Sequence, residues 1–140
     1  MKPTLHQGLS GTAEFTVTEA LTVPALARHY PSYAGMPPAF STPGLVGFVE
    51  QACIDLLAPH LDEGEFSVGV DVELTHTTAT PVGAHLTADL QVLQVEPKSV
   101  LFAVTVSDNE SVISIGQHRR AVLNRDRFVQ KLSEKADRLG

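Results

Sequence analysis

The chain has 140 residues, a net charge of −6 and 43% hydrophobic residues. That is one ordinary globular domain with room for a real core, and it excludes a disordered chain. No run of about 18 uninterrupted apolar residues occurs, so no membrane span is expected.

The charge is uneven. After Gly116 there are seven basic and three acidic residues, and before it three basic and thirteen acidic. The acidic body is a poor partner for nucleic acid. The basic end suits either a solvated helix face or a small anionic ligand such as a nucleotide phosphate. The first fifteen residues lack the apolar core of a secretory signal, and the lone Cys53 argues against a disulfide framework. Both lead to the expectation of a cytoplasmic protein.

In chain order, "AEFTVT" (13–18) alternates like a strand, and "TVPALARH" (22–29) reads as a short helix with Pro24 near its start. "YPSYAGMPPAF" then interleaves Pro and Gly with Tyr30, Tyr33, Met36 and Phe40. The segment from about 22 to 41 therefore reads as a lid-like element whose apolar side chains need cover. "FSTPGLVGFVEQACIDLLAPH" predicts a helix from Pro43 to about Leu57, with Thr42 as N-cap, Pro43 at the first helical position and Pro59 as terminator. Apolar residues surround its axis, which predicts burial on most sides. Gly44 and Gly47 allow close approach of another group.

Four strand-like runs follow: "FSVGVDVELTHT", "AHLTADLQVLQVE", "SVLFAVTVSD" and "SVISIGQHRRAVLN". The turns "TPVG", "EPK" and "DNE" separate them, and such short connections predict antiparallel neighbours in sequence order. Residues from about 125 to 138 form an amphipathic C-terminal helix with Phe128, Val129, Leu132, Ala136 and Leu139 on one face. The expected fold class is α+β, one domain over 1–140, with a central apolar helix wrapped by a curved antiparallel sheet.

Glu50 stands in the middle of the apolar helix. An unpaired buried carboxylate is costly, so it either caps or solvates locally, or works as an acid, base or nucleophile in a pocket. His76 lies at the end of a strand, either as a surface residue or as a general base near neutral pH. Thr42 can cap the helix, whose N-terminal N–H groups also suit a developing oxyanion. Gly69 weakens a strand interior, unless a bulge or a close ligand approach requires it. Arg120 ends a strand, and its neighbour His118 reads as surface. The six histidines show no metal-ligand spacing, so neither metal nor cofactor is expected.

Taken together, "FSTPGLVGFVEQAC", "SVGVDVELTHTTATPVG" and "GQHRRAVLN" resemble the fluoroacetyl-CoA thioesterase-like family of hot-dog proteins. The resemblance covers most of the chain from Tyr30 to about Phe128. It implies the hot-dog fold, an acyl-CoA substrate, and a homodimer with active sites at the subunit interface. It also implies a catalytic set at Thr42, Glu50 and His76. Gly69 would supply a backbone contact near the thioester carbonyl, and Arg120 a further pocket residue. The family's fluoroacetyl-selective member carries two lid phenylalanines. The matching positions here hold Tyr33 and Met36, so the implied activity is a thioesterase of unassigned acyl specificity.

Glu50 could attack the thioester to form an anhydride or activate water directly. Thr42 and Glu50 lie roughly 12 Å apart along one helix, so either His76 bridges them or two subunits combine. Two other functions fit the same residues: a hot-dog acyl-CoA hydratase or dehydratase, and a non-catalytic acyl-CoA-binding module.

Overall fold

A computed structural model describes residues 1–140. The regular elements are β1 (Ser10–Thr16), α1 (Thr42–Leu57), β2 (Glu65–Leu74), β3 (His85–Glu96), β4 (Ser99–Ser107), β5 (Val112–Asn124) and α2 (Arg125–Leu139). One antiparallel sheet in the order β1-β3-β4-β5-β2 holds all five strands.

The core lies between α1 and the inner face of this sheet. β4 alternates buried and half-buried side chains along its whole length, with Val100, Phe102, Val104 and Val106 pointing inward. β3 contributes Leu86, Ala88, Leu90 and Val92 in the same period. From the helix come Leu45, Phe48, Val49, Ala52, Cys53 and Leu57. Full burial of each large apolar side chain stabilises by about 1.5–3 kcal/mol. The central members of this cluster therefore anchor the helix in the sheet.

The helix is less enclosed than its composition predicts. Pro43, Gly47, Gln51, Ile54 and Asp55 are exposed, and Val46 and Glu50 are half-buried. Its cap also differs from expectation. Ser41, not Thr42, is the N-cap and accepts from the Gly44 N–H at 3.0 Å. Ser41 holds the extended backbone that a cap requires, which moves Thr42 to the first helical position and leaves its hydroxyl for other work. Gly44 has a packing role: a Cβ there would meet the Phe40 ring at 2.8 Å. Nothing approaches Gly47 so closely.

Between β1 and α1 the expected helix over 22–29 is absent. Three single 3-10 turns stand instead, at Glu19–Leu21, Pro24–Leu26 and Pro31–Tyr33. The second and third of these each begin on a proline, Pro24 and Pro31, and stop after a single turn.

The strand pairing departs from a simple meander. β3, β4 and β5 follow one another, but β2 pairs with β5 at one edge of the sheet, not with β3. The chain after β2 continues along β5 through Thr75 N–H to the Ile115 carbonyl and Thr77 N–H to the Ile113 carbonyl. It then meets the root of the 22–41 segment, where the Phe40 N–H bonds to the Thr80 carbonyl at 2.9 Å. This crossing brings residue 76 beside the start of α1. A register shift between Gly69 and Asp71 re-aims β2 at its midpoint.

α2 forms as expected, capped by Asn124, whose side-chain oxygen accepts from the Arg127 N–H at 2.9 Å. Phe128 packs edge-on against Phe66 with centroids 5.1 Å apart. Val129, Leu132 and Leu139 are exposed.

Candidate active site

The flank of α1 that faces β2 and the crossing segment carries two polar couples. The first is Thr42 with His76. Thr42 Oγ1 lies 2.9 Å from His76 Nδ1. His76 is half-buried, set edge-on to Phe40 with centroids 6.4 Å apart. Burial holds its pKa below the ordinary histidine value, so the neutral ring is favoured. Its Nε2 is buried without a partner. With the proton on Nε2, Nδ1 accepts from the Thr42 hydroxyl and can take its proton. The helix N-terminus offers fewer backbone donors than expected, because Pro43 has no N–H and Ser41 takes that of Gly44.

The second couple is Glu50 with Arg120. Glu50 sits on the boundary between the buried and open sides of α1, with its side chain 38% exposed. Arg120 is only 3% exposed and donates from Nη1 to Glu50 Oε2 at 2.9 Å. The remaining donors of Arg120 are largely used as well. Nε bonds the Ser67 hydroxyl at 2.8 Å, Nη2 bonds the Ser67 carbonyl at 3.1 Å, and Nη1 reaches His118 Nε2 at 3.0 Å. A guanidinium held in this way offsets the cost of placing a carboxylate beside an apolar core.

This geometry corrects two expectations. Arg120 is not available to a substrate phosphate, because its fork is turned inward onto Glu50 and Ser67. His118 is not a surface residue; it is fully buried on the inner face of β5. The spacing of His118 and Arg120 was the available signal, since residues two apart on a strand share a face.

Gly69 is explained by the same cluster. A Cβ there would lie 2.6 Å from Glu50 Oε2, 3.1 Å from His118 Cε1 and 3.4 Å from Arg120 Nη1. The carboxylate lies against the strand backbone in space that any other residue would fill. Cys53 borders this cluster, and burial pushes its thiol up to about 12. It is therefore a protonated core residue and a poor nucleophile.

Within one chain the two couples stay apart. His76 bonds Thr42 and Arg120 bonds Glu50, and no hydrogen bond links His76 to Glu50. A cavity of about 390 Å³ lies on the other flank of α1, where Tyr30 and Leu26 face Pro43, Gly47 and Gln51. Tyr33 packs against Tyr30 with ring centroids 5.2 Å apart and planes tilted by 47°, and Met36 is exposed. Of the 22–41 segment, Tyr30 lines that cavity while Tyr33 and Met36 do not.

Residues 17–126 match the family model described as fluoroacetyl-CoA-specific thioesterase. The chain is 35% identical over 135 residues to the fluoroacetyl-CoA thioesterase of Streptantibioticus cattleyicolor, covering 96% of this chain and 97% of that one. A solved structure of a fluoroacetyl-CoA thioesterase superposes with a TM-score of 0.90 at 34% identity, covering 94% of this chain and 97% of that one. A Thermus thermophilus member of the thioesterase superfamily shares the fold, with a TM-score of 0.88 at 21% identity over 99% and 98% of the two chains.

Proposed function

This chain belongs to the fluoroacetyl-CoA-specific thioesterase family and is a thioester hydrolase of the hot-dog fold; from that premise we propose that it hydrolyses a small acyl-CoA at a site shared between two subunits. Glu50 of one subunit works there with Thr42 and His76 of the other. The observation that carries this reading is the separate preorganisation of the two couples. Each is fixed by its own hydrogen bonds, and each keeps a reachable member, with Thr42 exposed and Glu50 half-buried.

In this site Glu50 Oε2 is taken by Arg120, and Oε1 is the reacting oxygen. As nucleophile, Oε1 bonds to the acyl carbon and the carbon–sulfur bond breaks, releasing CoA thiolate. Water then cleaves the anhydride, giving the free acid and regenerating Glu50. As general base, Oε1 removes a proton from water as that water bonds to the same carbon, and the carbon–sulfur bond then breaks to release CoA thiolate. His76 passes a proton from the Thr42 hydroxyl to the leaving thiolate, and the proton released by the hydrolytic water restores that hydroxyl. The backbone at Gly69 lies against the thioester carbonyl.

The unpaired side of β2 supports a homodimer. β2 pairs on one side only, and Val70 and Val72 on it are 55% and 42% exposed. An uncovered apolar edge strand is a pairing surface, and a twofold pairing of β2 with its copy joins two sheets into one. The segment 22–41, with Tyr33 and Met36, is the lid of the single 1–140 domain and borders the acyl group. Acyl-CoA supply and the reduced Cys53 fit action in the cytoplasm.

The test is thiol release from purified protein across short, branched and aromatic acyl-CoAs. Release of free CoA with the matching acid is expected, with preference for small acyl groups. A change in acyl unsaturation without thiol release would replace hydrolysis with hydratase chemistry. Tight acyl-CoA binding without turnover would make the protein a binding module.

A further inference from the structure

The His118 imidazole has no part in the chemistry above, yet it is fully buried against the carboxylate cluster. Its Nδ1 lies 2.9 Å from the Asp71 carbonyl oxygen. A carbonyl only accepts, so Nδ1 carries the proton and Nε2 is an acceptor. Arg120 Nη1 fills that acceptor at 3.0 Å. The same Nη1 donates to Glu50 Oε2 at 2.9 Å. Its two hydrogens thus have two acceptors, one on each side, and the orientation of one bond sets the other.

The backbone makes room for this arrangement. The Gly69 position faces both the His118 ring and the Glu50 carboxylate, and a Cβ there would crowd both. The Asp71 carbonyl that orients the ring lies just past the register shift at Gly69. That irregularity therefore serves the ring and the carboxylate together.

Resting on the reading of Glu50 as the reacting carboxylate, we propose that His118 is a positioning residue for it: the neutral ring, protonated on Nδ1, holds the Arg120 Nη1 fork and so aims Glu50. An imidazolium could not do this. It would have no acceptor for Arg120 and would set two cations about 3 Å apart. The groups facing the ring are Arg120 on β5, Glu50 on α1 and Asp71 on β2. Burial is the largest influence on the ring, and the net shift favours the neutral form. A purely apolar residue at 118 would leave one Arg120 N–H buried and unpaired, free to pull the fork off Glu50.

Three variants and one spectrum test this, using the short acyl-CoA that the wild type turns over fastest. His118→Phe keeps a flat ring without an acceptor, and kcat should fall by roughly ten- to a hundredfold, the scale on which a displaced catalytic group costs rate. KM should stay within about twofold, because no substrate contact is removed. His118→Gln restores an acceptor for Arg120 and should recover most of kcat. A long-range nitrogen–proton NMR spectrum of the wild type should show the His118 proton on Nδ1 at neutral pH. A folded His118→Phe protein with wild-type kcat, or a wild-type ring protonated on Nε2 or on both nitrogens, overturns the proposal. Glu50→Gln is measured alongside. If it keeps full turnover, the Glu50 reading falls and takes this one with it. If it is inactive while His118→Phe is not, only the role of His118 falls.

Discussion

Gly69 lies so close to Glu50 that a single added carbon would sit 2.6 Å from Oε2. The carboxylate is thus held between the strand backbone and the Arg120 guanidinium, with its position set from two sides. An apolar helix tolerates Glu50 because β2 and β5 supply that cradle.

Gly69→Ala should therefore displace Glu50 without dismantling the core. The fold and the dimer should persist, and kcat should fall by roughly ten- to a hundredfold. Ser67→Ala, which removes one hydroxyl acceptor from Arg120, should cost less. Circular dichroism melting and thiol release on the same preparations separate the two effects. Wild-type turnover in folded Gly69→Ala would mean that the carboxylate can move freely, which would remove the reason for a glycine there.

Burial depresses the pKa of both His76 and His118, so both are favoured neutral in the folded protein. The unfolded chain protonates histidine near its ordinary value of about 6.5 and so binds more protons than the native state just below that pH. Stability contributed by the two neutral rings is therefore full above about pH 6.5 and lost as pH falls through the depressed native values. Melting temperature should drop between about pH 7 and pH 5, and His118→Gln should flatten the slope. A melting temperature that rises on acidification would contradict the neutral assignment of both rings.

Much of this site is legible in the amino-acid sequence, and what is not depends on long-range pairing. α1 is bounded by strong local signals, and Glu50 stands out because its neighbours are apolar. The cap was displaced by one residue because Ser41 and Thr42 are both good caps, and only the backbone at Ser41 decides between them. The place of β2 at the sheet edge depends on the crossing through Thr77 and Thr80, which no local pattern encodes. The role of His118 was hidden for the same reason. A histidine on a strand reads as surface until the partner strand supplies the Asp71 carbonyl and the helix brings Glu50.

The segment 22–41 gives a separate prediction. Tyr33 packs against Tyr30, and Tyr30 lines the cavity beside α1. Replacing Tyr33 and Met36 together with phenylalanine should reorder the preference among short acyl groups by about 1–3 kcal/mol, the range in which an apolar pocket discriminates one methylene. Relative kcat/KM across an acyl-CoA series reads this out. An unchanged ranking in the folded double variant would place these two side chains away from the acyl group.

The shared site is the central claim, and subunit mixing tests it most directly. Glu50→Gln and His76→Ala should each be folded, dimeric and nearly inactive, since a positioned acid–base group contributes about 10²-fold or more. Unfolding and refolding the two together in equal amounts produces mixed dimers. If Glu50 works with Thr42 and His76 of the partner subunit, each mixed dimer holds one intact site and one doubly damaged site. Random pairing makes half of the dimers mixed, so the refolded mixture should recover roughly a quarter of wild-type thiol release. A mixture confirmed to contain mixed dimers but no more active than its inactive parents would contradict the shared site and return all three residues to one subunit.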